Sequence, residues 1–248
     1  MKRVLLATPV YDQKPDARYV HAFGQTIKAC MQNEIDLRWL FPIGETIQSA
    51  RNGIVRDAVK FEFDELVWID ADQDWSVDGP GPNEFLTILN YPVDVVGAPV
   101  RRKTIEHEIY NVRAEAGPHG LTTDPKTGLM TAPDMALGCG FLRMSKRAFT
   151  ALWNDGEPYT TFMNENDPSR WIFDIRPVKE AGDSIAELHG EDTWACDALR
   201  RLGFQIWMDP KINPGHIGLI RIQGNYLDWL ERAKRDNPKP SDKVVNLR

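Results

Sequence analysis

The stretch Asp64–Trp75, which reads DELVWIDADQDW, decides the fold. Its first part, Leu66–Ile69, is a continuous apolar run, and such a run is typical of a strand that is covered on both faces of a sheet. Three carboxylates follow at alternate positions, Asp70, Asp72 and Asp74. Because alternate side chains of an extended chain point the same way, we expect these carboxylates to share one side.

The carboxylate cluster predicts a cation site at the end of this strand. Carboxylates on one side of a strand repel one another unless a cation lies among them. Oxygen ligands suit Mg²⁺ or Mn²⁺, held by one or two carboxylates and the phosphates of a substrate. The alternative is a solvated acidic turn without a ligand, because short motifs of this kind often arise by chance.

The composition is that of an ordinary globular protein. The chain has 248 residues, of which 42% are hydrophobic and 27% are charged, and its net charge is −6. This length predicts one large domain or a domain with a small addition. The acidic balance provides no overall attraction to nucleic acid or to anionic lipid.

The cysteines and the apolar segments predict a cytoplasmic location. Cys30, Cys139 and Cys196 are widely spaced and odd in number, which favours free thiols in a reducing compartment. The apolar run near the N-terminus is too short for a signal peptide. No apolar stretch is long enough to cross a membrane.

Strands and helices alternate over the first hundred residues. Strands are predicted at Arg3–Ala7, around Leu37–Phe41, at Leu66–Ile69 and at Val93–Val96, with helical patterns between them. This βαβαβαβ order predicts a parallel sheet with helices on both faces. Ligands of such sheets bind at the carboxyl ends of the strands, where the loop Thr8–Asp12 lies.

The second half of the chain is less regular. Arg101–Asp134 and Asn154–Ser184 are irregular segments, and long segments of this kind are often lids or binding loops. Leu137–Met144 is predicted as a strand, and Ser145 as the cap of the helix after it. Glu191 and Asp192 open a further helix.

Arg51 and Asn52 lie near the start of the second predicted helix. A helix N-terminus favours negative charge, so both side chains could contact an anionic ligand there. The alternative is a solvated helix face on which Arg51 pairs with a nearby acid.

Taken in order, several pieces of the chain resemble the GT-A glycosyltransferases, and within them the glycosyltransferase family 2-like proteins. The resemblance covers about residues 2–218. The matching pieces are Thr8-Pro9, Ser49–Asn52, Trp68–Asp72, Gly138–Phe141, Gly190–Asp192 and His216–Gly218.

The resemblance implies an α/β fold with a Rossmann-like, mostly parallel central sheet, flanked by helices, and a small antiparallel, loop-rich acceptor part. Residues 1–223 would form a single GT-A domain. Its nucleotide-sugar-binding half would be residues 1–100, and its acceptor and catalytic half residues 101–223. A C-terminal helix and a mobile tail would follow in residues 224–248.

The activity implied by the resemblance is metal-dependent transfer of a sugar from a nucleoside diphosphate sugar, with a UDP-sugar as the expected donor, to an acceptor hydroxyl. Asp70, Asp72 and His216 would bind Mn²⁺ or Mg²⁺ beside the diphosphate, and a histidine ligand favours Mn²⁺. Asp74 departs from the family pattern and could contact the metal, the acceptor or only solvent. His216 could also be a loop residue bonded to backbone.

The same resemblance implies that Asp192 is the general base, with Glu191 beside it. Environment can spread the pKa values of two neighbouring carboxylates apart. The alternative is that these carboxylates only cap their helix, where the helix dipole favours negative charge. An aspartate base at this place favours inverting chemistry by analogy.

The donor-binding residues implied by the resemblance come from several segments. Thr8, Pro9 and Tyr11 would hold the nucleotide base, with Tyr11 stacked on it. Arg51 and Lys103 would contact the diphosphate, assisted by Asp70 and by Asn52 at the helix start. Lys103 would lie on a lid that closes over the donor, or it is simply a solvated lysine.

The acceptor stays open, as does the oligomeric state. A glycan, a protein or a hydroxylated nucleobase in DNA are all compatible with the chain, and Arg101–Lys103 with Lys146-Arg147 could form a basic patch for DNA. Nucleotidyl transfer is a second enzyme class, but no glycine-rich phosphate loop follows the first strand. A binding module that has lost its chemistry is a third interpretation, against which the intact acidic residues and His216 argue.

Overall fold

A mixed sheet forms the centre of the computed structural model, which describes residues 1–11, 14–76, 83–114, 117–160, 167–178, 185–218 and 220–236. The helices are α1 (Ala17–Gln32), α2 (Ile47–Lys60), α3 (Glu84–Leu89), α4 (Lys146–Asp155), α5 (Glu191–Arg201) and α6 (Tyr226–Asp236). The strands of the first half are β1 (Arg3–Ala7), β2 (Asp36–Leu40), β3 (Glu65–Ile69), β4 (Gln73–Asp74) and β5 (Val95–Gly97). The later strands are β6 (Val112–Arg113), β7 (Thr122–Thr123), β8 (Met130–Thr131), β9 (Ala136–Leu137), β10 (Phe141–Ser145), β11 (Glu157–Tyr159), β12 (Ser169–Trp171), β13 (Arg176–Val178), β14 (Glu187–His189), β15 (Ile206–Met208), β16 (Gly215–Ile217) and β17 (Arg221–Ile222).

The central sheet has the strand order β2-β1-β3-β10-β5-β15-β8-β7. The predicted α/β fold with a mostly parallel sheet is confirmed, since β2, β1, β3, β5 and β15 all run in the same direction. Strand β10 is antiparallel to both of its neighbours, β3 and β5. The carboxyl ends of β1, β3 and β5 therefore share one edge with the beginning of β10.

Each face of the sheet is covered by helices, as the apolar run at Leu66–Ile69 predicts. All five residues of β3 are buried, and its four apolar residues alternate between two cores. Leu66 and Trp68 pack with residues of α2, α4 and α5, whereas Val67 and Ile69 pack with residues of α1 and α3. This burial on both faces fixes the end of β3, and with it the position of the carboxylates that follow.

The small antiparallel sheets lie in the irregular segments of the second half and beside β4. Strand β16 pairs with β4 on one side and with β17 on the other, and β13 pairs with β14. The predicted C-terminal helix is α6, whereas the predicted tail from residue 237 lies outside the described residues, as do 161–166 and 179–184 of the second irregular segment. Among the helices of the described ranges, none combines the length and the apolar character that a membrane span requires.

Candidate functional site

The candidate site lies at the edge of the sheet where β1 and β3 end. Asp70 directly follows β3, and its backbone N–H donates to the carbonyl of Gly140 at 3.2 Å, just before β10 begins. A Cβ atom on Gly140 would collide with the buried amide of Gln73 and lie 3.3 Å from Oδ2 of Asp70. The glycine at position 140 therefore lets the two strands bring the backbone close to the first carboxylate.

The chain turns after Asp70 instead of continuing as an extended strand. The N–H of Gln73 donates to the carbonyl of Asp70 at 3.1 Å, which closes the turn. Asp74 then lies in β4, and its carboxylate accepts two hydrogen bonds from Arg221, at 2.7 Å and 2.8 Å. The expectation that Asp74 shares a side with Asp70 and Asp72 is therefore wrong, because the turn breaks the alternation.

Strand β16 brings His216 to the same place. The N–H of Ile217 donates to the carbonyl of Asp72 at 2.7 Å, and Nε2 of His216 lies 3.6 Å from Oδ2 of Asp72. Nδ1 of His216 lies 2.8 Å from the carbonyl of Arg101, which can only accept a hydrogen bond. This contact places a ring proton on Nδ1 and turns Nε2 toward the carboxylate.

The two carboxylates of the turn have different environments. Burial alone would raise the pKa of Asp72, but the neighbouring side chains of His216 and Lys103 outweigh it and lower the pKa of this carboxyl below its usual range. Burial raises the pKa of Asp70, and the charge of Asp72 adds to the rise, while Arg51 opposes it. The amine of Lys103 contacts the carboxylate of Asp72 directly.

Arg51 connects the turn after β3 with the start of α5. Its side chain is only 3% exposed, and its guanidinium lies 3.3 Å from Oδ1 of Asp70 and 3.0 Å from Oε1 of Glu191. The same guanidinium contacts the carboxylate of Asp192. The predicted pairing of Arg51 with nearby acids is thus confirmed, whereas the solvated helix face that accompanied it is wrong, because Arg51 is buried among these acids.

Two of the residues expected to bind the donor lie behind the site. Asn52 is fully buried, and its amide bonds the backbone of Ile172 and Phe173. Thr8 is also fully buried, and its hydroxyl lies 2.6 Å from the hydroxyl of Tyr19. Both side chains therefore support the walls of the site and do not line it.

A cavity of about 810 Å³ opens above these residues. A volume of this size suits a ligand such as a nucleotide. The sequence-predicted residues that line it are Pro9, Tyr11, Arg51, Asp70, Asp72, Lys103, Glu191, Asp192 and His216. Lys14 and Asp16 also line the cavity, although no sequence pattern marks them as ligand-binding residues. Both follow the loop after β1, and the N–H of Asp16 donates to the carbonyl of Ala71 at 3.2 Å.

The lining of this cavity is acidic. Five carboxylates and three cationic side chains line it, so with a neutral His216 the lining has two negative charges in excess. No three side chains of His, Cys, Asp or Glu in the described ranges are grouped closely enough to hold a metal ion on their own.

Comparisons with known proteins provide no family assignment. The chain matches no protein-family model and no curated protein. Solved structures to which it is similar include protein A197 from STIV, at 12% identity and a TM-score of 0.47 over 87% of this chain and 86% of that chain. Another is a glycosyltransferase involved in the glycosylation of the major capsid of PBCV-1, at 12% identity and a TM-score of 0.31 over 65% of this chain and 72% of that chain. At these values neither similarity identifies an activity for this chain.

Proposed function

We propose that the protein is a glycosyltransferase that transfers a sugar from a nucleoside diphosphate sugar to an acceptor hydroxyl. The observation that carries the proposal is the convergence of Asp70, Asp72, Lys103, Asp192 and His216, from four separate segments, on one cavity at the carboxyl edge of the sheet. Nucleotides bind at this edge in open α/β folds. The cavity volume of about 810 Å³ accommodates such a donor.

The charge of the cavity supports the use of a divalent cation. A diphosphate is itself anionic. A lining with two excess negative charges would repel the diphosphate unless a cation between them neutralised the charges of the lining and of the diphosphate. The donor atoms fit this role: Asp72 offers a carboxylate, and Nε2 of His216 faces it while Nδ1 is occupied by Arg101. Asp72 and His216 would hold Mn²⁺ or Mg²⁺, with Asp70 beside them, and the phosphates of the donor would supply the remaining ligands.

A cation held there would neutralise charge that develops on the departing diphosphate. Lys103 assists in the same task, because its flexible amine already reaches Asp72 and can move onto a phosphate oxygen when the donor arrives. Tyr11 is 83% exposed at the cavity, which leaves a free aromatic face for the nucleotide base. A UDP-sugar is the donor we propose.

Asp192 is the proposed general base. A base must lie within hydrogen-bond reach of the acceptor oxygen, and Asp192 lines the cavity at the start of α5, where Arg51 fixes its carboxylate. In the transfer, the acceptor hydroxyl loses its proton to Asp192 while its oxygen forms a bond to the anomeric carbon. The bond from that carbon to the diphosphate breaks, and its electron pair leaves with the diphosphate. Direct attack of this kind inverts the anomeric centre.

The proposal is tested by incubating the purified protein with Mn²⁺ and a panel of nucleoside diphosphate sugars, and measuring the release of nucleoside diphosphate. Binding of UDP is measured by calorimetry with and without Mn²⁺. We expect UDP to bind in the presence of Mn²⁺, and Asp72→Asn to remove the effect of the metal.

The matched control for that experiment is Asp228→Asn, which changes an exposed carboxylate on α6, away from the cavity. It should leave metal-dependent UDP binding unchanged. If no nucleoside diphosphate sugar binds or is consumed with Mn²⁺ or with Mg²⁺, the proposal of a glycosyltransferase is wrong.

A further inference from the structure

A second cavity, of about 560 Å³, lies next to the first. Residues of β6, β9 and β14 line it, together with the first turn of α5. Glu191 and Asp192 line both cavities, so the candidate base stands on the boundary between them. A molecule in the second cavity could therefore reach Asp192 without occupying the first cavity.

An arginine is held in position at the wall of this second cavity. Nη1 of Arg113 donates to Nε2 of His189 at 2.8 Å, while Nδ1 of His189 lies 2.9 Å from Oδ2 of Asp197. Oδ1 of Asp197 accepts a further hydrogen bond from Arg200 at 2.7 Å. Because the Nδ1–H group of His189 donates a hydrogen bond to Asp197, Nε2 of the same ring is left as an acceptor for Arg113. The neutral ring thus orients the guanidinium of Arg113 without neutralising the charge of the arginine.

The cationic groups of the second cavity are available to a ligand. Glu191 and Asp192 share the single guanidinium of Arg51, so the lining as a whole is not cationic, but Arg113 has a single acidic partner in the lining, Glu187, at 3.3 Å. The Glu187 side chain is 68% exposed, and exposed pairs of this kind are weak. Arg102 also lines the cavity, and within the described ranges its side chain bonds only the amide oxygen of Asn111, at 2.9 Å.

We propose that the second cavity binds the acceptor, and that the acceptor carries an oxyanion, a phosphate or a carboxylate, which Arg102 and Arg113 hold. Guanidinium groups bind these planar or tetrahedral oxyanions in a bidentate manner. An acceptor anchored in this way presents a hydroxyl of the same molecule to Asp192. The inference rests on the proposed function, in which that hydroxyl loses its proton to Asp192 and its oxygen takes the sugar from the diphosphate.

The experiment measures binding of small sugars without donor and without metal, so that no anion can bind through a cation in the first cavity. The probes are glucose, glucose 6-phosphate and glucuronate, which share a ring and differ in charge. We expect both anionic sugars to bind at least about tenfold more tightly than glucose, because a charge-assisted hydrogen bond is worth about one such factor or more. The ratio between the two anions distinguishes a phosphate site from a carboxylate site.

The variants are Arg102→Gln and Arg113→Gln, each expected to weaken the anionic sugars about tenfold and to leave glucose unchanged. Arg113→Gln also removes the hydrogen bond to His189 and could disturb the local structure. Arg102 is exposed, so Arg102→Gln tests the proposal without a change in the fold. Arg38→Gln, on the edge strand β2 and outside both cavities, is the control and should change nothing.

Equal binding of glucose and of the anionic sugars, or equal affinities in Arg102→Gln and the parent protein, would overturn the inference. UDP binding with Mn²⁺ is measured on the same samples. If UDP binds but the anionic sugars show no preference, only the acceptor proposal fails. If UDP does not bind while the anionic sugars do, the glycosyltransferase proposal fails and the oxyanion site stands.

Discussion

Nε2 of His216 lies 3.6 Å from Oδ2 of Asp72, although the two residues come from different halves of the chain. The contact depends on a small antiparallel sheet, in which β16 lies between β4 and β17 and carries the histidine to the turn after β3. The amine of Lys103 reaches the same carboxylate. Side chains from two other segments, His216 and Lys103, thus lie close to the carboxylate of Asp72, and each of the three residues can be substituted separately.

Lys103→Ala should change metal binding and donor binding in opposite directions. Without the amine on Asp72, the carboxylate is free for a cation, so we expect Mn²⁺ alone to bind about threefold more tightly, a modest gain because the pair is exposed. Binding of UDP with Mn²⁺ should weaken about tenfold, since a charge-assisted contact to the diphosphate is lost. Calorimetry measures both constants. Lys28→Ala, exposed on α1, serves as the control, and an unchanged Mn²⁺ affinity in Lys103→Ala would show that the amine does not compete with the metal.

Asp192→Asn should separate binding from chemistry. The amide keeps the shape of the side chain but cannot take a proton, so we expect the transfer rate at saturating donor to fall about 100-fold or more. The Kd of UDP should change little. The matched variant is Glu191→Gln, which alters the other carboxylate on Arg51. Full activity in Asp192→Asn would remove that residue from the mechanism, and a loss confined to Glu191→Gln would move the role to its neighbour.

Asn52→Ala should destabilise the fold and leave the site chemistry intact. The side-chain oxygen of Asn52 accepts hydrogen bonds from the N–H groups of Ile172 and Phe173, at 3.1 Å and 2.8 Å. The side-chain amide nitrogen of Asn52 donates to the carbonyl of Phe173. Removing a buried partner from these groups should lower the free energy of unfolding by about 3 kcal/mol. Urea denaturation measures the change. The control is Asn33→Ala, which removes one exposed hydrogen bond and should cost less than about 1 kcal/mol.

Asp94→Asn should destabilise the protein at neutral pH and not in acid. The hydrogen bond from Arg147 lowers the pKa of the Asp94 carboxyl, and Ser145 assists while burial opposes. Since the pKa is lower in the folded state than the usual value of about 3.9, the ionised carboxylate stabilises the fold above about pH 4. The contribution is lost as the pH falls through the folded pKa.

The expected loss for Asp94→Asn at pH 7 is about 1 kcal/mol, because Arg147 is solvent-exposed and its contribution is small. Urea denaturation at pH 7 and near pH 3 measures it, with Asp228→Asn as the control. A difference between Asp94→Asn and the parent protein that is as large in acid as at pH 7 would mean that the carboxylate charge has no part in it.

The location of the site in the fold can be predicted from the hydrophobic pattern and from the order of strands and helices. The apolar run before Asp70 predicts a strand buried on both faces, and the alternation of elements predicts that its carboxyl end is a ligand edge. The proximity of His216 to Asp72 follows from the family resemblance and not from spacing, because no local rule joins two segments so far apart. The structure brings them together through β4 and β16.

Local structure explains where two of the predicted residues lie. Asn52 follows Arg51 directly, and consecutive residues of a helix point about 100° apart, so Arg51 faces the cavity and Asn52 faces the core. The period of a strand predicts Asp74 on the same side as Asp72, whereas the turn after Asp70 breaks that period. Arg113 and His189 belong to no motif, and their contact at 2.8 Å depends on two short antiparallel strand pairs, β6 with β9 and β13 with β14, that the irregular sequence does not indicate.

The place of β10 between β3 and β5 has a consequence for the growing chain. Residues 1–100 contain both β3 and β5, but these strands do not pair with each other, because residues 141–145 fill the gap between them. Until the ribosome has synthesised residues 141–145, the apolar strands β3 and β5 each have one edge without its partner strand β10. Late pairing of this kind slows folding and exposes the strands to aggregation. We therefore expect the nascent protein to depend on chaperones until its second half has been synthesised.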